Sequence, residues 1–327
     1  MGGKGGEGST STINDQLARV PNSEFIRVFR FQKHGIVARI HEQYALELDT
    51  ETRVMWECLA TDRLSHHLVP YYPSTGFRVV HPPAVRDTEI VLDVVPINWA
   101  CFIAVEDPSV LRAVKEHTVG RIKDIAGRMP QSFRESHQTL NAYNPVPLGT
   151  QIVIITREGK TLLRKRGASV AISPDAWGVS VGGYCGDNDK VKEALDVGRT
   201  VEKELGREVG VLTSDPGNML FTGFHRNTST GAVSILGFWR LQADVDELVS
   251  VLTDKYPGEG KVFDTTPRTA ENFVYDFQNI VVDFTGRAIA KALAKAGSSV
   301  LEMVPECLVA LMLALEANGQ SASKLLG

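Results

Sequence analysis

Apolar and basic residues interleave from Phe25 to Val37 (FIRVFRFQKHGIV) at roughly the two-residue period of a half-buried strand, with His34-Gly35 as the turn of a hairpin. Asp49 then stands as an N-cap before Thr50 to Leu64, where Val54, Met55, Cys58 and Leu59 keep helical spacing. Gly76 to Val80 and Thr88 to Val95 read as strands, and Asp107-Pro108-Ser109 opens a helix reaching about Ile125. Pro130, Pro145 and Pro147 make Met129 to Pro147 a connector.

The pattern changes after the connector. Gln151 to Thr156 and Thr161 to Arg166 flank Arg157-Glu158-Gly159-Lys160, which predicts a second hairpin. Trp177 to Val181 is a short strand, Asp189 to Glu208 a long helix, and Asn218 to Phe224 with Ala232 to Leu241 a hairpin across Arg226 to Gly231. A helix over Val245 to Thr253, a strand near Phe273 and helices over Arg287 to Ala296 and Val300 to Ala317 complete the chain. The expected class is α+β: a flexible tail over 1–16, an N-terminal α+β domain over 17–140, a second sheet domain over 141–284 and C-terminal helices over 285–327. The last helix, with Leu308, Val309, Leu311, Met312, Leu313 and Leu315, forms a homo-oligomer interface or covers the domain's own sheet.

Composition narrows the function classes. The 327 residues fit one large or two modest domains, and 43% hydrophobic with 23% charged residues excludes disorder, collagen and coiled coil as the main architecture. A net charge of -4 without a long basic run argues against nucleic-acid partners. Cys58, Cys101, Cys185 and Cys307 lack zinc or disulfide spacing, which suits the cytoplasm, and the histidines lack ligand spacing. MGGKGGEGSTST carries no signal-peptide core and misses the myristoylation pattern at Gly6; Val300 to Ala317 is too short and charged to span a bilayer, so no membrane partner is expected.

Candidate chemistry gathers on the helix ending at Glu208. Val201, Leu205 and Val209, with Ala194 and Gly198 upstream, make an apolar stripe, while Thr200, Glu204 and Glu208 occupy the neighbouring face. Glu204 and Glu208 lie one turn apart, about 6 Å along the axis, and suit a shared hard divalent cation; as a bland alternative they are a solvated pair balanced by Lys203 and Arg207. Glu202 points away as a solvated charge. Gly182 and Gly183 make a tight turn, and alternation sets Arg164 and Arg166 on one strand face, within reach of a phosphate or simply charging an edge.

The string WGVSVGGY (177–184), followed after a polar loop by KELGREVGV (203–211), resembles the signature of the Nudix hydrolases: Gly, five residues, Glu, seven residues, then R-E-U-x-E-E-x-G-U with U apolar. Lys203 replaces the Arg of that pattern, Arg207 replaces one Glu, and Glu193 or Asp189 substitutes for the spaced Glu. Gly183 to Lys203 spans 20 residues where the pattern has 14; the rival register from Arg199 to Arg207 leaves Glu204 as the sole carboxylate at a ligand position. Shorter pieces, YNPVPLG (143–149) and FTGFHRN (221–227), with Asn98-Trp99, are similar to the branch acting on UDP-glucose and UDP-galactose.

The resemblance implies a Nudix-type α/β/α sandwich and metal-dependent hydrolysis of a nucleoside diphosphate derivative, a UDP-sugar first. It implies Mg²⁺ or Mn²⁺ on Glu204 and Glu208, with Glu271 as general base or a plain loop carboxylate. Arg164, Arg166, Gly182, Gly183 and Arg226 would contact a small-molecule nucleotide, Arg226 being otherwise a turn residue. Arg207, a cation where the family carries an anion, motivates the alternative of a catalytically silent Nudix-like protein that binds nucleotides or regulates through partners.

Overall fold

The computed structural model describes residues 13–28, 35–45, 75–85, 89–98, 127–140, 146–166, 175–210, 219–228, 231–255 and 278–326, with 50, 53–54, 57–58, 116, 120–121, 123–125 and 173. In chain order come α1 (Ile13–Leu17), β1 (Ser23–Val28), β2 (Gly35–Ile40), β3 (Thr75–Val85), β4 (Glu89–Asn98) and α2 (Gln131–Leu140). Next are β5 (Gly149–Ile155), β6 (Lys160–Lys165), β7 (Trp177–Gly178), β8 (Val181–Tyr184), β9 (Lys190–Val191), β10 (Ala194–Asp196) and α3 (Val197–Glu208). The chain closes with β11 (Met219–Asn227), β12 (Val233–Arg240), α4 (Val245–Lys255), β13 (Gln278–Asp283), α5 (Gly286–Lys295), α6 (Pro305–Ala317) and α7 (Ser323–Leu326).

Among the described residues the strands form three sheets, which with the helices make a mixed α+β fold. A five-stranded mixed sheet runs β1-β11-β12-β5-β8, a second runs β3-β4-β2-β10-β9, and a three-stranded antiparallel sheet runs β13-β6-β7. Alternation along the central strands serves two cores: Ile152, Ile154, Ile235 and Trp239 enter one, while Val153, Ile155, Leu236 and Phe238 enter the other. The first core also takes Val201 and Leu205 of α3 and Leu92 and Leu195 of the second sheet; the second core takes α5 and α6.

Both early hairpin expectations change. β1 pairs with β11, whereas β2 is flanked on both sides, by β4 and β10, so the two strands share no ladder. The turn after β5 does form, with Thr156 N–H donating to Lys160 O at 2.8 Å and Gly159 at φ +78. Its arms then diverge into different sheets, because β5 finds partners in β12 and β8 while β6 finds them in β13 and β7. Ser180 pins the divergence: its buried hydroxyl accepts from Ile154 N at 3.0 Å and donates to Leu162 O at 2.8 Å.

Other corrections follow from packing. Part of the tail expected over 1–16 is ordered, since Ile13–Leu17 is helical and Leu17 is fully buried in the second core. The connector contains α2, which packs on β3. The expected division near residue 140 coincides with no break in sheet or core: β1 belongs to the sheet of β11, and β10 to that of β2. Pro305 starts α6 afresh after a 3-10 turn at Val300–Glu302, because proline suits the first helical turn but not an interior. Cys307 to Leu315 are all buried, so the apolar residues offered for an oligomer interface are spent on the chain's own sheet. Among the described residues, no helix is long and apolar enough to cross a membrane.

Candidate functional site

Helix α3 begins later than its sequence pattern predicts. Residues 187–196 form a 3-10 turn and the β9–β10 hairpin, and Asp196 caps the helix by accepting from Arg199 N at 3.1 Å. Ala194 therefore lies in a strand, and the working stripe is Val197, Val201, Leu205 and Val209, each at most 1% exposed. Burial of that stripe turns Thr200, Glu204 and Glu208 toward β8 and β5, while Gly210 at φ +81 ends the helix.

Glu204 lies directly over the glycine pair. A Cβ on Gly183 would sit 2.7 Å from Glu204 Cδ, so only glycine admits the carboxylate there. A Cβ on Gly182 would likewise strike Gln151 Oε1 at 2.7 Å. The Glu204 carboxylate accepts from Arg207 at 2.6 Å and faces Lys203 at 3.9 Å. Burial pushes its pKa up, with Arg207 opposing and Glu208 adding to the shift.

Glu208 is held from three sides. It accepts from Gly182 N at 3.1 Å, pairs with Arg164 at 3.2 Å and with Arg207 at 3.3 Å. Lys203 in turn donates to both oxygens of the fully buried Asp189 at 2.8 Å, and Asp189 accepts from Gly186 N at 2.9 Å. The result is a continuous chain, Asp189–Lys203–Glu204–Arg207–Glu208–Arg164, of three carboxylates and three cations. Its formal charges cancel.

That pairing decides how well a divalent cation fits. A hard cation needs several oxygen ligands carrying negative charge. Here the guanidinium of Arg207 already bridges Glu204 and Glu208, and Arg164 holds the far oxygen of Glu208. As arranged, the two carboxylates do not fit Mg²⁺ or Mn²⁺, because an ion between them would meet a resident positive charge.

The other expected residues separate into groups. Arg164, Gly182 and Gly183 meet around Glu208 and Glu204, but Arg164 is buried and tied to Glu208 and to Ser180 O at 3.4 Å. Arg166 has a buried Nε with no hydrogen-bond partner among the described residues. Arg226 lies on β11, three strand positions from β8 or about 14 Å across the sheet, and pairs with Glu24 of β1. Glu271 and the strand expected near Phe273 lie outside the described residues. Glu202 is partly buried, with its pKa raised by burial and by Asp196.

Residues with no assigned role in the sequence also reach this region. Cys307 Sγ donates to Gln151 Oε1 at 3.2 Å, and burial raises its pKa to about 12. Asn227 donates to Glu306 at 3.3 Å, and burial raises the Glu306 carboxyl. Neither had a local signal, since α6 reads in sequence as an apolar helix. Asp189 did have one, the Gly183-to-Asp189 interval, which includes five intervening residues.

No family model matches the chain, and no curated protein matches it. Among the solved structures that match is DR0079 from Deinococcus radiodurans, at 18% identity and a TM-score of 0.23. The match covers 30% of this chain and 57% of that one, a likeness that carries neither fold nor activity across.

Proposed function

We propose that this chain is a Nudix-like protein of α/β/α type in which an internal ion-pair network has replaced the metal-binding carboxylate cluster. It binds a nucleotide or nucleotide-sugar without cleaving it. The observation that carries this reading is Arg207, which bridges Glu204 at 2.6 Å and Glu208 at 3.3 Å.

Spacing and contacts support the Nudix-like part. Asp189 follows Gly183 at the interval the pattern gives its Glu, and it pairs with Lys203, which stands at the pattern's Arg. Thirteen residues separate Asp189 from Lys203 where the pattern has seven, and the β9–β10 hairpin accounts for the extra six. That pair favours the register in which Glu204 and Glu208 are the pattern's carboxylates over the one starting at Arg199. The helices α3 and α6, packed on opposite cores of the sheets, support the layer order.

Hydrolysis is the second reading, favoured by one feature: the Arg207 side chain is 54% exposed and has room to leave. The test is a panel of UDP-sugars, ADP-ribose, NADH and dinucleoside polyphosphates with Mg²⁺ or Mn²⁺. The proposal expects saturable binding that EDTA does not change, and no product. Arg207→Glu, which returns a third carboxylate, is expected to bind Mn²⁺ where the parent does not. Metal-dependent release of a nucleoside monophosphate by the wild type would replace binding with catalysis.

A further inference from the structure

We draw no further inference here: the strongest candidate, the side-chain cluster of His41, His81, Asp93, Tyr44 and Phe133 where α2 meets the second sheet, packs its rings against one another around the His41–Asp93 contact, and nothing in the structure shows what it would hold.

Discussion

A single side chain, Arg207, decides what the two aligned carboxylates can do. One turn of helix puts Glu204 and Glu208 side by side, but the residue between them brings a cation instead of a further ligand. The alignment was legible from spacing, and so was its balancing by Lys203 and Arg207; the third cation was not, because Arg164 arrives from a strand 44 positions earlier in the chain. His225 gives this scale a separate test. It is fully buried against Ser23, and burial lowers its pKa from 6.5 to about 3. In that window the unfolded chain binds a proton that the folded chain refuses, so its contribution is intact above pH 6.5 and is lost as pH falls toward 3. The full loss reaches about 5 kcal/mol. Glu204 and Glu306, raised by burial, act in the opposite sense, costing stability as pH rises above the ordinary Glu value. Urea melts between pH 7 and 5 should show stability falling with acid, and His225→Gln should flatten that slope. An unchanged slope would mean that His225 does not set it.

Elements were legible where one pattern served one partner. β3, β4, the β11–β12 hairpin, α4 and α5 fall close to their predicted positions, since each has an uninterrupted period and a clear boundary. The exceptions have strands whose partners are remote. β1 and β2 read as one hairpin because the local turn signal is good, yet each ladder is filled from elsewhere. The long helix predicted from Asp189 gives way to the β9–β10 hairpin because Leu195 reaches the first core as a strand residue at 1% exposure. Leu195→Ala should therefore cost about 2–5 kcal/mol in a urea melt, as for a core leucine. A loss below about 1 kcal/mol would make the hairpin an ornament on the surface.

Across the whole molecule, the two cores ignore the boundary that composition and prolines suggest near residue 140. The first core joins Phe77 and Leu92 to Val201 and Trp239, and β10 extends the sheet of β2. Shared strands should make these parts unfold together, so scanning calorimetry is expected to give one transition, and two well-separated transitions would contradict the shared core. The C-terminal helix was left open in sequence between self-association and covering a sheet, because an apolar helix is compatible with both. Burial of Cys307 to Leu315 assigns it to the sheet.

The most direct test of the account is product analysis with the wild-type protein, nucleotide-sugars and Mg²⁺ or Mn²⁺. The ion-pair network predicts that the nucleotide-sugar is recovered intact after binding, with and without EDTA. Accumulation of UMP and sugar phosphate that depends on the metal and is lost in Glu208→Gln would contradict it, because Arg207 would then have yielded its place to a cation.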